Sequence, residues 1–215
     1  METDAVGLRV IGCLIEKQQT TPDAYPLSLN ALRAACNQTT NRDPVVVFDE
    51  PTIRAALERL SRMGWVRLAS GPGSRTAKYR HLLGEALRLA EDELALLAVL
   101  MLRGPQTLGE LNQRSERLHR FGSMAEIEQA LEAMAGRELA VRLPRGPGQK
   151  EERWAHLLGE ERPLQPAAAR AASTAPPAVF EADPLAEVER ELRQLRSEVA
   201  DLRASLRRLR DQLGA

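Results

Sequence analysis

Along the first eighty residues, apolar positions recur at helical spacing in three runs and then pass into short strand-like stretches. Leu8, Ile11, Cys13, Leu14 and Ile15 lie in the first run, and Ser28 to Cys36 forms a second, shorter one. A third begins after Asp49, with Pro51 in its first turn. There Ile53, Ala56, Leu57, Leu60 and Met63 follow the i, i+3, i+4, i+7 stripe of a half-buried helix, while Arg54, Glu58, Arg59 and Arg62 take the other face. Gly64 ends it. Trp65 to Ala69 and Thr76 to Arg80 read as two strands, joined by Ser70-Gly71-Pro72-Gly73-Ser74-Arg75, whose glycines and proline suit a hairpin tip. Three helices followed by a hairpin is the order of a winged helix-turn-helix.

The same order returns further along. Leu94 to Leu102 forms a first helix, and Thr107-x-x-Glu110 and Ser123-x-x-Glu126 are capping boxes that open the next two. Ile127, Ala130, Leu131 and Met134 supply the third helix's buried stripe, and strands near Ala140 to Leu143 and Glu151 to His156 flank Gly146-Pro147-Gly148. Three blocks also recur at one offset of 75 residues: Val66-Arg67-Leu68, Gly71-Pro72-Gly73 and His81-Leu82-Leu83-Gly84-Glu85 return as Val141-Arg142-Leu143, Gly146-Pro147-Gly148 and His156-Leu157-Leu158-Gly159-Glu160. A shared offset points to duplication of a whole folding unit. The expectation is a mainly α fold with small β-hairpins (α+β), built from two tandem winged helix-turn-helix domains at residues 1–85 and 86–160.

From 161 to 184 the composition shifts to alanine and proline and apolar periodicity is lost, as in a disordered linker. Over residues 185–213 the positions Leu185, Val188, Leu192, Leu195, Val199, Leu202, Leu206, Leu209 and Leu213 keep an unbroken 3-4 spacing, the seam of a coiled coil. With Leu185 at position a, Glu191 and Glu198 at g face Arg196 and Arg203 at e in a parallel partner, which predicts a parallel homodimer. The alternative is a helix folded back on its own chain. No polar residue marks the seam, so oligomer number and register stay open.

Composition narrows the function. The 215 residues carry 30 basic and 30 acidic side chains, so no global field draws the protein to nucleic acid or membrane, and such binding must come from local segregation of charge. No apolar run approaches the roughly 20 residues of a membrane span, and Met1-Glu2-Thr3-Asp4 lacks the start of a secretory signal. A cytoplasmic protein is expected. Cys13 and Cys36 sit in apolar helical patterns without a CxxC or histidine neighbour and read as buried free thiols. His119 stands alone, while His81 and His156 hold the same repeat position and read as packing elements. No nucleophile, phosphate-loop or zinc-protease spacing is present, so neither an enzyme nor a metal or other cofactor is expected. At 3% aromatic residues, the stacking platforms of single-strand binders are missing, and Trp65, Tyr79 and Trp154 read as core.

Charge separates the two copies. Between Arg54 and Arg80 seven basic residues (Arg54, Arg59, Arg62, Arg67, Arg75, Lys78, Arg80) face one acid, Glu58, whereas Glu128 to His156 holds five of each sign. Attraction to phosphate scales with neutralised charge, so the first copy is the one suited to duplex DNA. Arg54, Arg59 and Arg62 of the third helix, with Arg75 and Lys78 from the wing, are the expected contacts of a transcription-regulator-like DNA-binding protein. The second copy, in which Arg54, Arg59 and Arg62 align with Glu128, Ala133 and Gly136, is expected to serve the dimer or a protein partner. The rival is a non-enzymatic adaptor resembling tandem winged-helix accessory proteins of chromosome organisation.

One stretch is distinctive: Leu29-Asn30-Ala31-Leu32-Arg33-Ala34-Ala35-Cys36-Asn37-Gln38-Thr39-Thr40-Asn41-Arg42-Asp43-Pro44-Val45. It resembles the signature of the YceH-like bacterial family, and the resemblance runs from about Val10 to Glu160. It implies tandem winged helices ending in a short coiled coil and brings no activity with it. Asn37, Gln38, Asn41 and Arg42 lie where a DNA reader has a tight turn, so they are candidates for a base edge or phosphate. Equally, they can satisfy the loop's own backbone, as Asn and Asp before proline commonly do.

Overall fold

The computed structural model describes residues 3–69, 76–146 and 150–159. The expected linker (161–184), the coiled-coil residues (185–213), Arg75 and most of both hairpin tips lie outside them. The described chain is a mixed α/β structure of seven α-helices and two small antiparallel sheets.

In the first half, α1 spans Ala5–Thr20, opened by Asp4, whose carboxylate accepts the Gly7 N–H at 2.8 Å. A 3-10 turn at Pro22–Ala24 leads to β1 (Leu27–Ser28) and α2 (Leu29–Cys36), and α3 runs Glu50–Arg62 with Asp49 as its cap. The hairpin strands are β2 (Val66–Leu68) and β3 (Lys78–His81). β1 was not foreseen, because two residues cannot display an alternation; it adds a third strand by pairing Leu27 with Tyr79. Gly64 turns the chain out of α3 at φ 74°, a left-handed conformation that glycine adopts without strain.

A short helix, α4 (Leu83–Leu87), also unforeseen, joins the halves. The second half follows as α5 (Glu91–Arg103), α6 (Leu108–Ser115), α7 (Met124–Gly136), β4 (Ala140–Leu143) and β5 (Arg153–His156). α5 is buried all round from Glu93 to Leu102, so it is an interior helix rather than a surface one. The capping box at Thr107 is complete, with Glu110 accepting the Thr107 N–H at 3.0 Å. At Ser123 it is not: the Ser123 hydroxyl caps Glu126, but the Glu126 carboxylate reaches one residue further, to the Gly122 N–H.

Equivalent hydrogen bonds fix how the halves correspond. The Trp65 N–H donates to Leu60 O and Trp65 O accepts from Leu82; Leu139 does the same with Met134 and Leu157. The first strand of each hairpin is therefore related by 74 residues (Trp65 to Leu139) and the second by 75 (Leu82 to Leu157). The Val-Arg-Leu match at a constant 75 is thus not the spatial one: Leu68, not Arg67, occupies the place of Arg142. Both lie opposite equivalent aromatics, Leu68 across from Tyr79 and Arg142 across from Trp154. The same offset sets Glu138, at φ 57°, where Gly64 stands in the first half. In place of β1, the second half has a single bridge between Gln106 and Trp154.

One hydrophobic cluster runs through both halves, from Val10 to Leu158. α1 packs closely against α5: a Cβ at Gly12 would come within 3.0 Å of the Leu102 side chain. The segment between α2 and α3 completes this junction. Its Arg42 side chain, 0% exposed, meets Glu16 of α1 at 3.1 and 2.5 Å, Ala35 O at 3.2 Å, Gln38 Oε1 at 2.9 Å and Asn41 O at 2.8 Å. Burial alone would pull the Arg42 pKa down, but the Glu16 carboxylate holds it above the ordinary value. Asp43 N–H then donates to Leu102 O at 2.9 Å, and Arg103 donates to the Asn41 amide oxygen, so the segment also closes the carboxyl end of α5. Arg9, buried beside it, donates to Cys36 O and Pro44 O. No described helix is long and apolar enough to cross a membrane.

Two stability outcomes follow. Glu16→Ala leaves the Arg42 charge buried without its carboxylate and should lower the unfolding free energy by about 3 kcal/mol in urea titration; a loss under about 1 kcal/mol would show that the pair does not hold the junction. Glu138→Gly removes a left-handed non-glycine residue and should raise stability by about 0.5–1 kcal/mol in the same assay, relief of strain outweighing the added chain entropy.

Candidate nucleic-acid interface

α3 owes its start to Asp49, whose Oδ1 accepts the Thr52 N–H at 2.9 Å. The hydrogen bonds from Thr52 hold the Asp49 carboxyl below its ordinary range. Ile53, Ala56, Leu57 and Leu60 turn into the core, leaving Arg54, Glu58, Ser61 and Arg62 exposed. Arg54 pairs with Glu50 one turn earlier at 2.6 Å, an exposed contact that water and salt weaken. Arg59 lies on the flank of the helix and reaches Asp4 at 2.5 Å, so the residue that caps α1 also holds α3 against it. Among the described residues Arg62 and Arg67 make no ion pair. Lys78 is exposed on β3, and Tyr79 is half-buried beside it. Arg54, Leu57, Glu58, Arg67, Leu68 and Tyr79 line a groove of about 180 Å³ between α3 and the hairpin.

Each of the four candidates ahead of α3 is engaged by the protein's own groups, with Arg42 buried, Asn37 and Gln38 half-buried and Asn41 exposed. Asn37 clamps Phe48, donating to its carbonyl and accepting its N–H, each at 2.8 Å. Gln38 accepts from Arg42, and Asn41 accepts from Arg103. Arg42, a candidate for a base edge or phosphate, is instead buried against Glu16 with no exposed side-chain surface. Asn37 and Gln38 are likewise occupied with the loop's own groups, which is the structural alternative of the two weighed above. Arg67 was counted in the charge but not singled out; the signal was there in the alternation of buried Val66 with exposed Arg67.

The matching surface of the second half is neutralised from within. Arg142 meets Glu128 at 2.8 Å, Glu132 at 2.6 Å and Glu152 at 3.3 Å, and its guanidinium lies 4.9 Å from the Trp154 ring centre. Glu128 stands at the position of Arg54 and Arg142 at that of Leu68. The place where the first half shows arginine and an exposed leucine becomes a closed ion-pair cluster.

Neither histidine of the repeat joins this surface. His81 is 7% exposed, its Nε2 meets Gln18 Oε1, and its backbone N–H donates to the Tyr25 hydroxyl at 2.8 Å. The Nδ1 atoms of His81 and His156 are both buried without a hydrogen-bond partner. Burial pushes the pKa of each down to about 4. Cys13 and Cys36 are buried free thiols, and contact with Cys13 together with burial pushes the Cys36 thiol up. Among the described residues no three His, Cys, Asp or Glu side chains gather closely enough to hold a metal ion.

Residues 3–149 match the family model described as "Protein of unknown function, DUF480", a span that contains the Leu29–Val45 signature. A UPF0502 protein of Geobacter sulfurreducens is 48% identical over 199 residues, covering 92% of this chain and 88% of its own length. One from Xanthomonas campestris pv. campestris strain B100 is 46% identical over 212 residues, covering 99% of this chain and 94% of its own. A third, from Azoarcus sp. strain BH72, is 47% identical over 213 residues, covering 98% and 94%.

The two buried imidazoles predict an acid limit. Each has a folded pKa of about 4 against about 6.5 when unfolded, so the unfolded chain binds the extra proton first and stability falls as pH drops from about 6.5 toward 4. Urea midpoints should decline over that window, and less steeply in His156→Gln than in the unaltered chain. Identical slopes in the two would contradict the neutral buried state.

Proposed function

We propose that this chain, which belongs to the DUF480 family of proteins of unknown function, is a tandem winged-helix protein that binds duplex DNA through its first half. In that reading α2 and α3 form the helix-turn-helix, α3 lies in the major groove, and the β2–β3 hairpin follows the backbone as the wing. The 185–213 heptads pair two chains, so that two first halves meet one two-fold symmetric site.

A single observation carries the reading: the two halves share a fold and differ in what they do with charge. In the second, one arginine holds three carboxylates. In the first, Arg62 and Arg67 face solvent with no ion pair among the described residues, and Arg54 is held only by an exposed pair. Uncompensated guanidinium groups beside an exposed helix face attract phosphate and release its counterions. Exposed Leu68, on the hairpin beside Arg67, adds an apolar contact suited to a sugar face or a thymine methyl group. Arg54, Arg62, Arg67 and Lys78 are thus the proposed contacts; Arg59 tethers α1 first and contributes its charge from the flank.

The second reading, a protein adaptor, draws on the neutral net charge and the self-neutralised second half. Salt dependence separates the two. Neutralising Arg62 and Arg67 together, as Arg62→Gln with Arg67→Gln, should weaken binding to duplex DNA and reduce the slope of log K against log salt by about 0.9 for each lost phosphate contact. Fluorescence anisotropy over a salt series measures both. No duplex binding by the unaltered chain at low salt removes DNA as the partner and leaves the adaptor, and an unchanged slope in the double variant overturns Arg62 and Arg67 as its contacts.

A further inference from the structure

A cleft of about 460 Å³ opens where the end of α1 faces α5 and the residues that follow α6. This is within the range of small-molecule sites. Val99, Leu102 and Leu118 give it an apolar lining, and Arg103, Arg114 and Arg117 bring three guanidinium groups to it. Two carboxylates also line it, Glu16 committed to a buried partner and Glu116 in an exposed pair that water weakens. Glu16 holds Arg42 with its two oxygens, and Glu116 meets Arg120 at 3.5 Å.

The three arginines, by contrast, are poorly compensated. Arg114 has Glu110 Oε1 only at 3.6 Å, and the same carboxylate shares its charge with Arg153, which meets Oε2 at 2.7 Å beside the Thr107 N–H at 3.0 Å. Arg103 donates to the Asn41 amide oxygen, a neutral acceptor. Arg117 is exposed and makes no ion pair among the described residues. Burial first, and then the neighbouring Arg114 charge, hold the Arg103 pKa below its ordinary value. Like charges gathered over apolar lining, with the Glu16 carboxylate committed to Arg42, form a site that an anion relaxes. The cleft beside α7 offers the contrast: its Arg142 is saturated by three carboxylates.

We infer that this cleft binds a small multivalent oxyanion, a metabolite bearing carboxylate or phosphate groups, with Arg103 and Arg117 taking the charged groups and Val99 and Leu118 the carbon skeleton. The planar fork of a guanidinium fits both kinds of oxyanion. Asn41 comes from the first half and Arg103, Arg114 and Arg117 from the second, so the ligand bridges the junction that Arg42 builds. The site is separate from α3 and does not depend on DNA binding.

Calorimetric titration of the full chain with citrate and with pyrophosphate, at constant ionic strength set with chloride, tests this. Saturable binding of at least one probe, at one per chain, with a matching rise in Tm, is the expected result. The probe that binds more tightly identifies the head group. Arg103→Gln with Arg117→Gln should weaken binding about tenfold or more. Arg117→Gln alone alters an exposed side chain and serves as the folded control, with a smaller loss in the same direction. The inference is overturned if neither probe saturates, or if the Arg117→Gln chain binds as tightly as the unaltered one.

Discussion

Arg42 carries a full charge out of water, and five oxygens from α1, α2 and its own loop surround it. A guanidinium cannot shed its proton to escape burial, so every one of those acceptors must stay where it is. That requirement turns a 13-residue connection, Asn37 to Asp49, into a rigid part of the fold. Its other end is held by the Asn37–Phe48 clamp, and from there the chain enters α3 through Asp49. The orientation of α3, and with it of every exposed arginine on that helix, depends on a charge that never meets solvent.

The same connection joins the halves. Asp43 and Asn41 serve the penultimate carbonyl and the last side chain of α5, while Gly12 lets α1 approach Leu102. α5 could not stand alone as a surface helix, because it is apolar on all sides. Its burial against α1 makes the two halves one hydrophobic body. The two halves thus share equivalent strand and helix-end hydrogen bonds but present different surfaces.

What each copy does with charge is then a matter of three or four positions. Glu128 in place of Arg54 and Arg142 in place of Leu68 convert an open basic groove into a closed cluster over Trp154. Neither replacement disturbs a buried position, which is why the two surfaces diverged while Ile53 and Ile127, or Leu60 and Met134, stayed in equivalent core places. The cleft lined by Arg103, Arg114 and Arg117 belongs to neither copy but to their junction, and no repeat comparison points to it.

Every described α-helix but α4, and both hairpins, were legible because each is written in local chemistry: apolar stripes at Ile53, Ala56, Leu57 and Leu60, capping signals at Thr107 and Ser123, Pro51 in the first turn of α3 and glycine at its end. Charge asymmetry between the copies was legible for the same reason, since it needs only counting once the helices are placed. Register was not. The offset of 75 residues is real in the letters, yet backbone pairing relates Trp65 to Leu139, so only the sheet could decide that Arg142 answers Leu68. Nor does a sequence say which of two polar roles a residue takes. Asn37, Gln38, Asn41 and Arg42 have side chains fit for either DNA or loop. It was their distance to Phe48, Glu16 and Arg103, set by helices far apart in the chain, that committed them to partners within the protein.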